Sequence, residues 1–258
     1  LVELGMEHMQ TGKPIVYTSA DSVFQIAAHE DVIPLPELYK MCEIARGILQ
    51  GEHGAGRVIA RPFVGDSPEN FKRTTHRKDY PRNPAYPTMM QKLVDAGKDV
   101  YSVGKIDDIF NHQGITKKNH VLTNVESLDV TLKLLEEDFE GLMFVNLIEF
   151  DMIYGHRNDP RGYADALEQF DAYIPEIQKR LKPGDLVVVT GDHGVDPTTP
   201  GTDHSREYVP LLAFGPNIKH GVDLDDRGSL GDIAGTLAEM FSLEPQPIGQ
   251  SFLRDVVQ

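Results

Sequence analysis

Five residues of this sequence have the types and spacing of ligands for divalent metal ions. They are two aspartates and three histidines: Asp151, His156, Asp192, His193 and His204. Carboxylate oxygens combined with imidazole nitrogens suit Mn²⁺ or Zn²⁺. Five such groups exceed the needs of one ordinary site. The set therefore favours two metal ions that share a phosphate-sized anion, an arrangement that stabilises both the entering and the leaving oxygen of an in-line displacement.

The two aspartates each follow an apolar segment that is typical of a buried strand. Asp151 comes after residues 142–148, and Asp192 comes after residues 186–190 within a Gly-Asp-His-Gly segment. Because the carboxyl ends of parallel strands meet at one edge of a sheet, we expect these side chains to converge. The alternative is that the histidines only form caps or hydrogen bonds in loops after strands. Because two aspartates and three histidines occur together in matching positions, the metal site is favoured over this alternative.

Apolar strands alternate with amphipathic helices from about residue 87 onward. Strands are predicted over residues 99–103, 142–148 and 186–190, and helices over residues 124–137, 162–181 and 230–240. This alternation is typical of an α/β fold in which helices cover both faces of a mostly parallel, doubly wound sheet. Such sheets bind ligands at the carboxyl ends of their strands, where the five candidate ligands fall.

The first 80 residues have a mixed pattern that predicts a separate, small α/β unit. Residues 14–18 and 57–63 are β-like, and residues 36–50 have helical spacing that should bury Leu38, Met41 and Ile44. Three prolines in the polar segment 77–88 predict a linker without helix or sheet. A length of 258 residues suits one large or two modest domains. We therefore expect domains at residues 1–81 and 82–258.

The composition disfavours several partners. The chain has 25 Lys and Arg against 40 Asp and Glu, a formal net charge of −15, which disfavours nucleic acid and anionic membranes as partners. Its longest apolar runs are too short to span a bilayer. One cysteine, Cys42, cannot form a disulfide within the chain, and residues 1–5 lack the pattern of a signal peptide. These features predict a cytoplasmic location.

Three longer segments give the metal motifs a family context. They are Ile-Val-Tyr-Thr-Ser-Ala-Asp-Ser at 15–22, Arg-Val-Ile-Ala-Arg-Pro-Phe at 57–63 and Gly-Thr-Asp-His-Ser-Arg-Glu at 201–207. Together with the Gly-Asp-His-Gly segment, they resemble the phosphopentomutases, a branch of the alkaline-phosphatase superfamily. The resemblance implies an alkaline-phosphatase-like core with a small α/β cap. It also implies an isomerase of nucleoside salvage that interconverts ribose or 2-deoxyribose 1-phosphate and 5-phosphate through a phosphoenzyme and a 1,5-bisphosphate.

The resemblance also assigns the metal ligands. It implies two Mn²⁺ ions, although other divalent cations would suit the same ligands. One ion would be held by Asp151, His156 and His204, and the other by Asp192 and His193. The family completes the second site with an aspartate near its N-terminus and carries its phosphorylated threonine after that aspartate. Neither residue has a counterpart here, so we expect that the chain lacks the N-terminal strand and the nucleophile segment. No catalytic residue can then be assigned, and we expect the chain to be inactive alone.

The resemblance places six residues against the pentose phosphate. They are Ser19, Asp21, Ile59, Arg61, Arg73 and Lys105. Hydroxyl and carboxylate groups suit sugar hydroxyls, and arginine grips a phosphate with two parallel hydrogen bonds. Alternatively, Ser19 and Asp21 cap a helix and Arg73 is a solvated loop charge. The resemblance also suggests a sugar bisphosphate as an activator.

The metal motifs alone leave two other functions open. The first is a metal-dependent phosphatase, phosphodiesterase or phosphoglycerate mutase of the same superfamily. Release of inorganic phosphate or turnover of 3-phosphoglycerate would identify it. The second is a non-catalytic protein that binds a metal or a sugar phosphate. Residues 17–25 and 57–63 favour the pentose phosphate enzyme over the first alternative.

Overall fold

The computed structural model of the chain describes residues 1–19 and 22–258, and all of their side chains except those of Ser19 and His53. The chain divides into two compact units, Leu1–Pro84 and Ala85–Gln258. The division falls three residues beyond the predicted domain boundary, inside the segment predicted as a linker. Over the described ranges, no helix combines the length and apolarity needed to cross a membrane.

The described part of the first unit forms a five-stranded sheet with two α-helices. Its elements are α1 (Gly5–Thr11), β1 (Ile15–Ser19), β2 (Val23–His29), α2 (Leu35–Ile48), β3 (Arg57–Val64), β4 (Lys72–Arg73) and β5 (Lys78–Pro81). Strands β2 and β3 are parallel, whereas β1 pairs antiparallel with β2, and both β4 and β5 pair antiparallel with β3. The predicted small α/β unit therefore forms, with β3 at its centre.

Strand β5 corrects the prediction that residues 77–88 contain no sheet. It pairs with β3 from Arg57 opposite Pro81 to Ala60 opposite Lys78. Proline cannot donate a backbone hydrogen bond, so it is confined to edge strands and strand ends, and Pro81 occupies such an end. The polar, proline-containing composition therefore marks an edge strand at residues 78–81.

Helix α2 forms as predicted but buries a narrower stripe. Leu38 and Cys42 are fully buried against Val58 and Ala60 of β3, and burial raises the pKa of the Cys42 thiol to about 12. The prediction that Ile44 belongs to the core is wrong, because 55 % of it is exposed. At about 100° per residue, Ile44 lies about 120° around the helix from Leu38, beyond the face that one small sheet covers.

Two buried histidines join α1 to the sheet. The His8 Nε2 atom accepts a 2.8 Å hydrogen bond from the backbone N–H of His29, and its Nδ1 lies 2.6 Å from the carbonyl oxygen of Lys13. The His29 Nε2 atom lies 2.8 Å from the carbonyl oxygen of Gly65. Both rings pack on Phe63, with ring centroids 5.6 Å and 5.4 Å apart. These bonds require a neutral His8 with its proton on Nδ1.

We expect His8→Ala to lower the free energy of unfolding by about 3 kcal/mol, because it leaves a buried N–H without an acceptor and opens a cavity beside Phe63. Thermal or urea unfolding of the chain measures this loss. His220→Ala, at an exposed histidine, serves as the matched control and should change stability little. Equal stability of the two variants would show that the His8 contacts contribute nothing.

The second unit contains three parallel strands, one antiparallel strand pair and six α-helices. Its elements are α3 (Met89–Asp95), β6 (Asp99–Val103), α4 (Ile106–Ile109), β7 (Lys117–Asn119), α5 (Asn124–Leu134), β8 (Gly141–Val145), a π-helix (Phe150–Gly155), α6 (Pro160–Arg180), β9 (Val187–Thr190), β10 (Leu211–Phe214), α7 (Asp232–Met240) and α8 (Leu253–Val256). Strand β6 is central, with β7 and β8 parallel to it on either side. The predicted α/β fold class is confirmed.

Strand β9 differs from the expected arrangement. It pairs antiparallel with β10, and in the described part of the chain these two strands form a sheet of their own. The four residues of β10 are too few for periodicity to indicate a partner or a direction.

The core of this unit lies on both faces of β6, because successive residues of a strand point to opposite faces. Val100 packs with Leu93 of α3 and Ala238 of α7 on one face. Tyr101 and Val103 pack with Leu134 at the end of α5 on the other. Strand β8 runs parallel to β6, and its carboxyl end is followed by the π-helix that carries Asp151.

Candidate metal centre

Asp151 lies in the π-helix that follows β8. The wider turn of a π-helix is rare and occurs frequently at functional sites. The start of this helix is anchored by a reciprocal pair of hydrogen bonds. The Glu149 Oε2 atom accepts from the N–H of Asn124 at 2.6 Å, and the Asn124 Oδ1 atom accepts from the N–H of Glu149 at 3.1 Å. Asn124 is buried, so the segment two residues before Asp151 is held against the first turn of α5.

Three histidines surround one oxygen of the Asp151 carboxylate. The Oδ1 atom lies 3.3 Å from His204 Nε2, 3.4 Å from His156 Nε2 and 4.0 Å from His193 Nε2. This oxygen is buried, and no hydrogen-bond donor reaches it from any described residue. A buried carboxylate oxygen without a donor is costly unless a cation compensates it.

The distances fit a shared metal ion. Two ligands that each lie about 2.1 Å from a tetrahedral ion are about 3.4 Å apart. The ligand atoms of Asp151, His156 and His204 all lie within 4.8 Å of one another. The three side chains are only partly exposed, between 33 % and 46 %, so an ion can enter while the surrounding protein limits its contact with water. The residues present therefore suit a divalent cation.

Backbone carbonyls orient two of the imidazole rings. His156 donates from Nδ1 to the carbonyl oxygen of Thr202, and the His193 Nδ1 atom lies 3.1 Å from the carbonyl oxygen of Gly194. In each of these rings the Nδ1 atom faces a carbonyl, so Nε2 is the nitrogen that is left on the side of Asp151 to bind a metal ion. The His193 and His204 rings stack with their centroids 3.6 Å apart, which holds the third ring in the same cluster.

Asp192 lies at the outer side of this cluster. Its Oδ1 atom is 3.7 Å from His193 Nε2, and its side chain is 75 % exposed. His193 thus lies between the carboxylates of Asp151 and Asp192. The structure brings all five predicted ligands together, but the assignment of Asp192 and His193 to a second ion stays a prediction.

Two further groups lie beside Asp151. The ammonium Nζ of Lys105, predicted as a substrate contact, is 3.7 Å from the sulfur of Met152. Tyr163 of α6 packs on Phe150, and burial, with a smaller contribution from the Asp151 charge, raises the pKa of its hydroxyl. Tyr163 therefore keeps its proton at neutral pH. Sequence periodicity predicted the helix but gave no signal for this tyrosine.

A second carboxylate and histidine cluster follows β6. It comprises Asp107, Asp108 and His112. The His112 Nδ1 atom lies 2.6 Å from Asp107, and the Lys118 ammonium lies 3.0 Å from the other Asp107 oxygen. Because a lysine already neutralises the central carboxylate, this cluster fits an ion-pair network better than a metal site.

The first unit carries a group of arginines on one face of its sheet. Arg61 donates from Nε to Gln25 at 2.8 Å, and Arg73 donates from Nη2 to the Tyr17 hydroxyl at 3.2 Å. Arg77 forms two 2.6 Å hydrogen bonds with Asp79. Burial lowers the pKa of Arg61, and the charges of the neighbouring Arg77 and Arg73 lower it further. These three arginines form a positively charged region in a chain whose net charge is negative.

The remaining predicted substrate contacts differ in how the structure places them. Ile59 is 2 % exposed within β3, and because it lies two residues before Arg61 on the same strand, the two side chains point to the same face of the sheet. Ser19 is the last residue of β1, and Asp21 lies outside the described residues. Since β2 follows at Val23, the alternative that Ser19 caps a helix is wrong. Contact of these residues with a substrate stays a prediction.

Glu30 ties the segment after β4 to the end of β2. It accepts hydrogen bonds from Thr74 Oγ1 at 2.6 Å and from His76 Nδ1 at 2.9 Å, and these bonds lower its pKa. A carboxylate whose pKa is lower in the folded state adds stability above its unfolded pKa of about 4.5, and this stability is lost as the pH falls. We therefore expect Glu30→Gln to lower the unfolding temperature at pH 7, with a difference that shrinks as the pH falls below the ordinary pKa of a glutamate.

The measurement is thermal unfolding across pH 3 to 8. Glu3→Gln, at an exposed glutamate near the N-terminus, is the charge-matched control. A Glu30→Gln curve parallel to that of the unmodified chain at every pH would contradict the expected linkage.

Comparison with known proteins defines the class that this fold and site represent. Residues 4–245 match the metalloenzyme superfamily, and the chain belongs to that superfamily. It is 65 % identical to a phosphopentomutase of Herpetosiphon aurantiacus, over 99 % of this chain and 66 % of the relative. It is 59 % identical to a phosphopentomutase of Carboxydothermus hydrogenoformans, over 98 % and 65 %, and 52 % identical to one of Alkaliphilus metalliredigens, over 100 % and 66 %. The chain thus spans just under two thirds of the length of these curated relatives.

Proposed function

We propose that the protein is a phosphopentomutase that interconverts ribose or 2-deoxyribose 1-phosphate and 5-phosphate in nucleoside salvage. The observation that carries this proposal is the buried, unpaired Asp151 oxygen encircled by the Nε2 atoms of three histidines. Such a centre serves phosphoryl transfer, and relatives that share 52–65 % of the sequence are named phosphopentomutases. The reaction would pass through a phosphoenzyme and a 1,5-bisphosphate.

The proposed metal content is two Mn²⁺ ions. Asp151, His156 and His204 would hold one, and Asp192 and His193 would contribute to the other. When bound, the ions would neutralise charge on the oxygens of the transferring phosphoryl group. The protein groups prepare the ligands for this role, because the carbonyls of Thr202 and Gly194 keep the protons of two histidines away from the ligand side.

The proposed substrate contacts divide by chemistry. Lys105, Arg61 and Arg73 would bind phosphate, while Ser19 and Asp21 would hydrogen-bond the sugar hydroxyls near Ile59. A mutase must also keep water from its phosphoenzyme, because hydrolysis would turn it into a phosphatase. A cytoplasmic location and activation by a sugar bisphosphate belong to the same proposal. The location is supported by the single, buried cysteine.

The test is a ³¹P NMR time course on the full-length gene product with Mn²⁺ and ribose 1-phosphate. We expect the 5-phosphate signal to grow without inorganic phosphate. The 258-residue chain, run in parallel, reports whether these residues alone sustain turnover. Accumulation of inorganic phosphate would instead establish a phosphatase. Turnover of 3-phosphoglycerate with no pentose phosphate activity would establish a phosphoglycerate mutase.

A further inference from the structure

His204 lies on a loop that has no regular secondary structure of its own. This segment, residues 195–204, is called here the His204 loop. Its base is closed by a bridge between Gly194 and Ser205, in which the Ser205 N–H donates to the Gly194 carbonyl at 3.1 Å. The Asp196 N–H donates to the Ser205 hydroxyl at 2.9 Å. These contacts fix the two ends of the loop, whereas its middle requires another anchor to hold His204 at 3.3 Å from Asp151.

Asn158 supplies that anchor from the turn between the π-helix and α6. Its side-chain Nδ2 lies 2.8 Å from the carbonyl oxygen of Gly201, 3.0 Å from that of Thr199 and 3.3 Å from that of Pro197. Three carbonyl oxygens of alternate loop residues thus converge on one NH₂ group. The carbonyl of the following residue, Thr202, accepts from His156 Nδ1.

The orientation of the Asn158 amide follows from these neighbours. If the amide were turned over, its oxygen would face three carbonyl oxygens with no proton between them, which is repulsive. The amide nitrogen must therefore face the loop. An aspartate at this position would place a negative charge against the same three oxygens, although it has the same shape as asparagine.

The backbone of Asn158 also suits asparagine. Its φ is +52°, in the left-handed region that few residues other than glycine adopt easily and that asparagine tolerates. Asn158 thus combines a turn conformation with an amide that reaches the loop. Glycine is the substitution that keeps the turn and removes only the amide, so it separates the two roles.

We propose that Asn158 is a positioning residue for the metal centre, which acts by holding the His204 loop so that His204 Nε2 faces Asp151. The proposal rests on the metal site of the proposed function. Without the amide, three loop carbonyls lose their shared donor, and the loop must be ordered again each time a metal binds. Partners that orient metal ligands change affinity by about 10- to 100-fold when they are removed.

The test compares Mn²⁺ binding to the unmodified chain, Asn158→Gly and Asn158→Asp by titration calorimetry. We expect Asn158→Gly to raise the Kd at least about tenfold and Asn158→Asp to raise it further. Asn217→Asp, at an exposed asparagine elsewhere in the second unit, controls for the added charge. Circular dichroism confirms that each variant is folded. If Asn158→Asp does not fold, Asn158→Gly carries the test because it adds no charge.

A double-mutant cycle with His204→Ala distinguishes positioning from a general structural role. Since Asn158 acts through His204, Asn158→Gly should change the weaker affinity of the His204→Ala chain less than about twofold. An equal fold-change in both backgrounds would overturn the positioning role. So would an Asn158→Gly chain that binds Mn²⁺ as tightly as the unmodified chain. An unmodified chain that binds no divalent metal would overturn the proposed metal site and this role together.

Discussion

Asp151→Asn is expected to weaken binding of the first divalent ion by at least about a hundredfold, more than the loss of any group that only orients a ligand. Among the described residues, this carboxylate is the one negatively charged group that faces the Nε2 atoms of all three histidines. An amide of the same size preserves the packing but supplies a neutral oxygen or an N–H donor. Calorimetric titration of the chain with Mn²⁺ measures the change.

The same variant should have the opposite effect on stability without metal. The Asp151 Oδ1 atom is buried with no donor from the described residues, so removal of its charge should raise the unfolding temperature of the metal-free chain. Added Mn²⁺ should then stabilise the unmodified chain more than it stabilises Asp151→Asn, which lacks the carboxylate of the first site. Asp165→Asn, on the exposed side of α6, is the matched control. Equal stabilisation of Asp151→Asn and the control by Mn²⁺ would rule out Asp151 as a ligand.

Asp192→Ala is expected to lower kcat of the full-length gene product by about a thousandfold or more, because a metal ion contributes several kcal/mol to phosphoryl transfer and each 1.36 kcal/mol corresponds to tenfold. The exposed Asp192 carboxylate lies 3.7 Å from His193 Nε2, whereas His156 and His204 are the histidines nearest to the Asp151 oxygen. The expected loss is therefore one ion per chain, with the ion at Asp151 retained.

Metal content measured beside the ³¹P NMR assay distinguishes these outcomes. A drop from two ions to one, with turnover abolished, agrees with the two-ion assignment. The exposed Asp171→Ala on α6 controls for the loss of a surface charge. Near-normal turnover by Asp192→Ala would refute a catalytic second ion, and loss of both ions would show that the five ligands form a single coupled site.

The two variants report on different parts of one cluster, with His193 between them. His193 Nε2 lies 4.0 Å from Asp151 and 3.7 Å from Asp192, so its ring is near both carboxylates. If His193 binds the second ion, Asp192→Ala should free its ring while His156 and His204 stay bound. The histidine resonances of the chain, recorded with and without a diamagnetic ion such as Zn²⁺, would follow this change ring by ring.

The sequence by itself predicted the class of fold and five candidate metal ligands that the structure brings together. The aspartates could be located because each follows an apolar strand, and a run of four or five apolar residues is recognisable from its own composition. Periodicity also predicted α2 but not which of its apolar residues are buried, since Ile44 has the right spacing and still faces solvent. The spacing of apolar residues shows that a helix is amphipathic. How many of these residues are buried depends on the elements that pack against the helix.

Only the tertiary structure shows how the groups of the candidate site are arranged. The unpaired oxygen of Asp151, the carbonyls that orient His156 and His193, and the amide of Asn158 beneath the His204 loop have no signal in the sequence. Asn158 meets carbonyls 39, 41 and 43 residues further along the chain. Contacts at that separation depend on how strands and helices close on one another. The candidate ligands are therefore recognisable from local sequence, but their geometry arises from packing between distant segments.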